Sequence, residues 1–178
     1  VCGAGAKDGR IEKIRAHACS APLEIKATYF IDATGEGDLA ALAGAEFMLG
    51  HPENGRTLHM TLVFRLFDTG RPVKPYLPPG LAPINNDGEI PGLGYHQLPD
   101  GQVYCNITKV MGHDPTDPLS LGAAEMDARR QLARVLHYLQ RAYFHNHALS
   151  SSGARIGIRE GRRIVGDYIL TGDEIVSP

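Results

Sequence analysis

Apolar and polar residues alternate on both sides of a turn signal at the start of the chain. Asp8 and Gly9 separate two short runs, and Ile11 and Ile14 lie among charged residues in the second run. An Asp-Gly pair between extended runs is a strong local signal for a hairpin. The pattern therefore predicts a β-hairpin over residues 1–18.

The next segment becomes more apolar toward its end. Residues 23–27 alternate between apolar and polar, and residues 29–31 form a continuous apolar run. Such a run predicts a strand that is buried on both faces. A glycine-rich acidic stretch, residues 35–38, follows it and leads into a predicted short helix over residues 39–43. Gly44 comes next, where a left-handed residue commonly ends a helix.

Two further strands are predicted in the middle of the chain. Alternation over residues 59–68 places Met60, Leu62, Phe64 and Leu66 on one face, and alternation over residues 101–110 does the same for Val103, Cys105 and Ile107. Residues 69–100 are rich in proline and glycine, which predicts a long connection of turns.

An amphipathic pattern predicts the main helix over residues 122–144, with Gly122 as its N-cap and residues 114–121 as a linker. Its apolar stripe consists of Ala128, Leu132, Val135 or Leu136, Leu139 and Tyr143. Residues 150–152 are predicted to lie in a polar loop, and residues 154–170 to form a strand and then a short strand or helix. These elements predict an α+β fold, with a mixed or antiparallel sheet and a few helices.

Composition narrows the possible partners and compartment. The 178 residues are 43% hydrophobic and carry a net charge of −2. Such a chain builds one domain of ordinary size or slightly more, and it lacks the positive charge that nucleic acids and anionic membranes attract. No apolar run approaches the ~18 residues of a membrane-spanning helix. Three widely spaced cysteines and no visible secretory signal predict a reducing, cytoplasmic location.

The turn at residues 35–38 is the main candidate site. Gly35 and Gly37 lack a Cβ atom, so their backbone can lie close to a cofactor. The start of the following helix offers free N–H groups to phosphate. Glu36 and Asp38 would repel phosphate, so an acid here accepts a hydrogen bond from a sugar hydroxyl or caps the helix, with Asp38 as N-cap.

Three segments resemble a known family. FIDATGEGDLAALAGAEF, residues 30–47, resembles the Ala-Thr-Gly segment of FAD-dependent oxidoreductases of the two-dinucleotide-binding-domain type. It is most similar to a bacterial group with the signature Ile-Asp-Ala-Thr-Gly-Asp-Gly-Asp-Leu-Ala. HMTLVFRL at residues 59–66 and IGIREGRRIVGDYIL at residues 156–170 resemble two later segments of that group, in the same order.

The resemblance implies a division of the chain by role. Residues 1–44 would be part of a FAD-binding domain, residues 45–155 a substrate domain, and residues 156–178 a return segment toward the FAD domain. The positions nearest the pyrophosphate and ribitol of FAD would be Ala33, Thr34, Gly35, Gly37 and Asp38.

The resemblance also suggests residues for substrate and chemistry. Arg159 and His59 are the predicted catalytic residues, and Arg65 and Arg162 are predicted to bind substrate. An arginine here can pair with a substrate carboxylate or stabilise reduced flavin. The alternative is structural: the arginines of residues 159–163 are solvated or ion-paired, and His59 is a polar residue at a strand edge.

Other sites have less support. The histidines at positions 137, 145 and 147 lack the spacing of four residues that helical metal ligands need, so no metal site is predicted. The serines of residues 150–152 lack a Gly-x-Ser-x-Gly elbow, which speaks against a serine nucleophile.

The 178 residues contain no G-x-G-x-x-G fingerprint between a strand and a helix, and they begin with Val1 in a predicted strand. We therefore expect a piece of a longer enzyme that transfers hydride between a small organic substrate and flavin. This piece alone should bind FAD weakly or not at all. Its expected partners are the substrate, the remainder of the parent chain and a second copy, but neither nucleic acid nor membrane. The alternative is a non-catalytic module that binds a small polar ligand in residues 69–100.

Overall fold

The computed structural model describes residues 1–92 and 94–177, and they form two compact units. Unit 1 contains residues 1–56 and the described residues from 161 onward, and unit 2 contains residues 57–160. Leu93, in the predicted connection of turns, and Pro178, in the predicted return segment, lie outside the described residues. The division into cofactor, substrate and return segments stays a prediction.

Unit 1 begins with a three-stranded antiparallel sheet. Its strands are β1 (Gly3–Lys7), β2 (Arg10–Ala18) and β3 (Ala21–Lys26), in that order. Asp8 and Gly9 join β1 to β2 with φ angles of 50° and 74°. A two-residue turn with both φ angles positive matches the twist of the strands it joins, so the predicted hairpin is confirmed.

The buried strand predicted at residues 29–31 is wrong. The sheet ends at Lys26, and no described strand pairs with residues 27–37. Tyr29 is 86% exposed and Ile31 is 89% exposed. A continuous apolar run is buried only where other layers cover both of its faces, and no described layer covers these side chains.

The rest of unit 1 consists of short elements. Helix α1 (Asp38–Leu42) has Ala43 as its C-cap, and Gly44 follows with a φ of 89°. The N–H groups of Gly44 and Ala45 donate to the carbonyls of Ala41 and Ala40, which is a Schellman motif. Strand β4 (Phe47–Leu49) pairs with a later strand of residues 162–164.

Unit 2 contains a four-stranded antiparallel sheet. Its strands are β5 (Phe64–Asp68), β6 (Tyr95–Gln97), β7 (Val103–Cys105) and β8 (His147–Ser152), in the order β6-β7-β5-β8. The polar loop predicted at residues 150–152 is wrong, because Ser151 and Ser152 pair with β5. Serine is a weak strand former, but pairing with a neighbouring strand decides the conformation of an edge strand.

Helix α2 (Pro118–Ala142) begins four residues before the predicted start. Its N-cap is Asp117, whose carboxylate accepts a hydrogen bond from the N–H of Ser120 at 2.6 Å. Proline suits the first helical position because it lacks an N–H that would have no partner there. The predictions of Gly122 as N-cap and of residues 118–121 as linker are therefore wrong.

The core of unit 2 lies between α2 and the sheet. The predicted strand face is confirmed, and the helix stripe is confirmed except at Tyr143, which is 43% exposed. The buried core residues include Met60, Leu62, Phe64, Leu66, Val103, Cys105, Ala128, Leu132, Val135 and Leu139. The thiol of Cys105 is fully buried, whereas Cys2 and Cys19 are exposed.

The last elements of the chain return to unit 1. Strand β9 (Arg162–Ile164) is the partner of β4, and helix α3 (Gly172–Val176) follows. Thr171 and Glu174 form a capping box at the start of α3. The mixture of helices and antiparallel sheets confirms the predicted α+β fold. Among the described residues, no helix combines the length and the apolar character needed to cross a membrane.

Candidate functional site

The turn at residues 32–38 is shaped by the carboxylate of Asp32. Its Oδ1 atom accepts hydrogen bonds from the N–H of Thr34 at 3.0 Å and from the Thr34 hydroxyl at 2.7 Å. The hydroxyl oxygen of Thr34 in turn accepts from the N–H of Asp38 at 2.8 Å. Thr34, a predicted cofactor residue, therefore has its side chain directed into the turn.

Asp32 also caps helix α1. Its Oδ2 atom accepts from the N–H of Ala40 at 2.9 Å, and these bonds hold the pKa of Asp32 below its ordinary value. The N-cap position itself is Gly37, with φ 64° and no capping side chain, so the hypothesis of Asp38 as N-cap is wrong. Sequence reasoning missed Asp32, although Asp-x-Thr is the signal of an Asx turn.

The backbone is bare at Gly35, whereas a Cβ atom added at Gly37 would lie 3.0 Å from Cδ1 of Ile164. Gly35 has φ 87°, and a Cβ atom added there would meet nothing within 4 Å. The N–H groups of Gly35, Glu36 and Gly37 donate to no acceptor in residues 1–92 or 94–177. Ala33 is exposed beside them. The turn thus presents three consecutive backbone donors to any ligand that brings oxygen acceptors.

Two predicted site residues, Arg162 and Asp38, form an ion pair. Arg162 Nη1 lies 2.6 Å from Asp38 Oδ1 and donates to the carbonyl of Glu36 at 3.2 Å. Its guanidinium carbon is 5.3 Å from the centre of the Phe47 ring, and its side chain is 15% exposed. The ion pair joins β9 to the start of α1. Substrate binding by Arg162 and FAD binding by Asp38 stay predictions.

Glu36 lies in the candidate turn but is not among the predicted cofactor-binding residues. Its Oε2 atom is buried with no hydrogen-bond partner among the described residues. Burial, and then the charge of Asp38, raise the pKa of Glu36, while Arg162 lowers it. The carboxylate lies against Gly161, where a Cβ atom would overlap it. No local pattern indicated this contact, because the two residues are distant in sequence.

The two predicted catalytic residues contact each other in unit 2. Arg159 Nη1 lies 2.7 Å from His59 Nε2. Burial, and then the charges of Arg159 and Lys109, lower the pKa of His59. Because a guanidinium only donates, Nε2 is the acceptor in this contact, which assigns the proton of the neutral ring to Nδ1. Next to this pair, Glu160 accepts from the N–H of Leu58 at 2.8 Å, which ties the two segments together.

Arg65 lies elsewhere in unit 2, on strand β5. It is exposed, and its backbone pairs with Tyr104 on one side and Ser151 on the other. Within the described part of the chain its side chain forms no hydrogen bond or ion pair, including none with His59 or Arg159. The structure therefore joins His59 to Arg159 and Arg162 to Asp38, but leaves Arg65 apart from both pairs.

Metal chemistry has no support in the described residues. No group of three or more His, Cys, Asp or Glu side chains there is arranged to hold a metal ion.

Comparison with known families agrees with the sequence resemblance. The chain matches the family described as FAD dependent oxidoreductase over residues 1–178. Comparisons with curated proteins and with solved structures give no match. The family match covers the whole chain, so it includes the turn, the Arg162–Asp38 ion pair and the Arg159–His59 contact. The chain therefore belongs to the FAD-dependent oxidoreductase family.

Proposed function

We propose that these residues are part of a longer FAD-dependent oxidoreductase that transfers hydride between a small organic substrate and flavin. In this proposal, unit 1 supplies part of the FAD site and unit 2 supplies substrate-binding groups. The exposure of Tyr29 and Ile31, at 86% and 89%, supports a parent chain that covers them. The observation that carries the proposal is the bare backbone at Gly35, beside N–H groups of residues 35–37 that have no acceptor among the described residues, in a chain of this family.

The residues of the turn fit FAD. Within residues 1–92 and 94–177, three consecutive N–H groups have no acceptor and no side chain stands over Gly35. Free backbone donors in a concave turn bind the oxygen atoms of phosphates and sugars. Ala33, Thr34, Gly35, Gly37 and Asp38 would hold the cofactor here, with Asp38 fixed by Arg162. FAD, when bound, supplies the redox chemistry of the enzyme.

The chain's own residues have distinct proposed roles. Burial and then the charge of Arg159 lower the pKa of His59, and Arg159 orients the imidazole by a 2.7 Å contact to Nε2. The Nδ1 atom then carries a proton, and in the proposal this N–H donates to an oxygen atom of the substrate. Arg65 and Arg162 provide positive charge, Arg65 from the solvent side of the sheet of unit 2 and Arg162 from within unit 1.

A matched pair of glycine variants tests the FAD site. Gly35 and Gly44 have φ angles of 87° and 89°, and an added Cβ atom is unobstructed at both. Asparagine tolerates such angles better than other side chains. Gly35→Asn and Gly44→Asn should therefore change stability to a similar, small extent. Only Gly35→Asn places a side chain over the bare turn, so only this variant should lose FAD affinity in the full-length protein.

Absorption spectroscopy of the full-length protein gives the first readout. Purified protein should show the visible bands of flavin, with Gly44→Asn retaining them and Gly35→Asn losing flavin on dialysis. A colourless full-length protein that added FAD does not change would instead support a non-catalytic module that binds a small ligand. Equal flavin retention by the two variants would remove the turn from the cofactor site.

Calorimetric titration of residues 1–178 alone with FAD tests whether these residues hold only part of the FAD site. This piece has no G-x-G-x-x-G fingerprint, which supplies the phosphate contacts of dinucleotide-binding folds. We expect binding of FAD weaker than micromolar, or none. Micromolar or tighter binding would show that the 178 residues hold a sufficient site.

A further inference from the structure

One face of the sheet in unit 2 is open. The other face carries Phe64, Leu66, Val103 and Cys105, which are buried in the core with helix α2. Side chains alternate between the two faces of a strand. Arg65 and Tyr104, which alternate with these core residues, therefore point away from α2.

A cross-strand row of polar side chains lies on the open face. His96 pairs with Tyr104, Tyr104 with Arg65, and Arg65 with Ser151. Directly opposed residues of an antiparallel sheet project on the same side, about 5 Å apart at their Cβ atoms. The rings of His96 and Tyr104 lie 5.0 Å apart with planes tilted by 37°. We call these four residues the Arg65 row.

The charge of the row is positive and uncompensated. The side chain of Arg65 has no ion pair or hydrogen bond among the described residues, and the residue is exposed. Asp68 is the only acidic residue within the four strands, and alternation assigns it to the face of Phe64 and Leu66. Tyr104 and Ser151, the cross-strand neighbours of Arg65, carry hydroxyl donors on the same face of the sheet. A guanidinium between hydroxyl donors is suited to a carboxylate, which it can bind with two parallel bonds.

We infer that the Arg65 row binds the carboxylate of a small organic substrate, with Arg65 as the group that pairs with it. This inference rests on the proposed function, because the substrate is that of the oxidoreductase. Tyr104 and Ser151 donate to the carboxylate oxygens, and His96 supports the Tyr104 ring.

The test uses full-length protein with its flavin. The probes are acetate, benzoate and succinate, each compared with its neutral amide, with affinity measured by calorimetry. At least one carboxylate should bind more tightly than its amide. Arg65→Gln should weaken that binding at least about tenfold, because hydrogen bonds to charged groups are the stronger kind. Tyr104→Phe and Ser151→Ala should each weaken it about threefold, as expected for loss of a neutral donor.

Arg155→Gln is the matched control. Arg155 is also exposed in unit 2 and has no hydrogen bond or ion pair from its side chain among the described residues, but it lies outside the Arg65 row. This variant should bind the probe like the unmodified protein. Melting temperatures and flavin content should be the same for both arginine variants, which shows that both fold.

The outcomes separate this inference from the proposed function. Absence of carboxylate binding, or binding that Arg65→Gln leaves unchanged, overturns the inference while flavin content remains intact. Absence of flavin from the full-length protein overturns the proposed function, and the inference with it. Loss of binding in Arg155→Gln as well as in Arg65→Gln also overturns the assignment, since general positive charge would then be responsible.

Discussion

The Oδ2 atom of Asp32 accepts a hydrogen bond from the N–H of Ala40 at 2.9 Å, across eight residues of chain. The same carboxylate holds Thr34 through Oδ1. One side chain therefore closes the turn from both ends, and the free N–H groups of Gly35 and Gly37 depend on it for their arrangement. Asp32 is a positioning residue for the proposed cofactor site, although it need not touch the cofactor.

Asp32→Ala should reduce both stability and FAD affinity. Loss of a capping side chain costs about 1 kcal/mol of stability, and the turn loses the bonds that set its shape. The free energy of unfolding from urea titration, and the flavin content after dialysis, measure the two effects in the full-length protein.

Asp167→Ala provides the control for that variant. Asp167 is an exposed aspartate of unit 1 with no hydrogen bond or ion pair among the described residues. Its replacement should change neither measurement. If Asp32→Ala behaves like Asp167→Ala, the carboxylate does not organise the turn.

The His59–Arg159 contact predicts a dependence of stability on pH. The pKa of His59 lies below its ordinary value of 6.5, because of burial and then the Arg159 charge. The unfolded chain thus takes up this proton at higher pH than the folded protein. The contribution to stability is complete above the ordinary pKa and is lost as pH falls through the folded pKa.

Arg159→Gln should raise the pKa of His59, since it removes a positive charge and keeps a hydrogen-bond donor. The pKa should stay below the ordinary value, because the larger cause, burial, remains. NMR titration of the His59 ring measures this change, with Arg155→Gln as control. An unaltered His59 titration in Arg159→Gln would show that the two side chains are not paired in solution.

Asp87 attaches the turn-rich connection to the end of α2. Its carboxylate accepts from the Tyr143 hydroxyl at 2.5 Å and from the Tyr138 hydroxyl at 2.9 Å. These bonds raise the pKa of Tyr143 to about 12 and lower that of Asp87. The contact therefore affects stability at both ends of the pH range. The Tyr143 contribution to stability is lost as pH rises toward 12. The Asp87 contribution is lost as pH falls below 3.8, the ordinary pKa of an aspartate.

Asp87→Asn should bring Tyr143 ionisation to lower pH, because the replaced group is the main cause of the shift. Ultraviolet titration of tyrosine ionisation detects the change. Asp100→Asn is a suitable control, because the only described hydrogen bonds of the Asp100 side chain are to Gln102. A Tyr143 that already ionises at its ordinary pKa in the unmodified protein would contradict the contact.

Gly50 and Gly55 provide a test of backbone packing in unit 1. Their φ angles are 69° and 66°, so alanine is strained at both. An added Cβ atom at Gly50 would lie 2.6 Å from the carbonyl carbon of Gly55, whereas at Gly55 it would meet nothing within 4 Å. Gly55→Ala should cost about 1–2 kcal/mol from the torsion alone.

Gly50→Ala should cost more than about 3 kcal/mol, because backbone must move as well. The carbonyl of Gly50 also accepts from Arg163 at 2.6 Å, and this bond would be disturbed. Thermal and urea unfolding of the two variants give the comparison. Equal losses of stability would mean that the turn adjusts freely around the new methyl group.

Local sequence patterns predicted the elements whose partners are near in sequence, and the strands that have one buried face and one exposed face. The hairpin at Asp8 and Gly9 and the face of Met60 to Leu66 were both found because period-two alternation and turn chemistry are local. The run at residues 29–31 failed for the opposite reason: its burial depends on layers that the pattern cannot show. The start of α2 was misplaced because Asp117 and Pro118 were interpreted as linker.

The sequence predicted several residues of the candidate site, but it did not predict which of them contact each other. The sequence indicates the glycines of the turn, but it does not indicate the hydrogen bonds by which Asp32 holds the turn in place. Arg162 and Asp38 are separated by 124 residues, and Arg159 and His59 by 100. Only the folded chain reveals such pairs, because no local periodicity connects them. Whether these pairs act on cofactor and substrate stays a prediction.

The fully buried thiol of Cys105 gives the protein an internal probe of its own opening. Burial raises the pKa of Cys105 to about 12, and the thiolate is the form that reacts with alkylating reagents. Cys2 and Cys19 are exposed and will be modified first. After they are blocked, we expect the remaining slow alkylation to require opening of the core that buries Cys105. Its rate therefore reports the opening equilibrium of unit 2 without any introduced label.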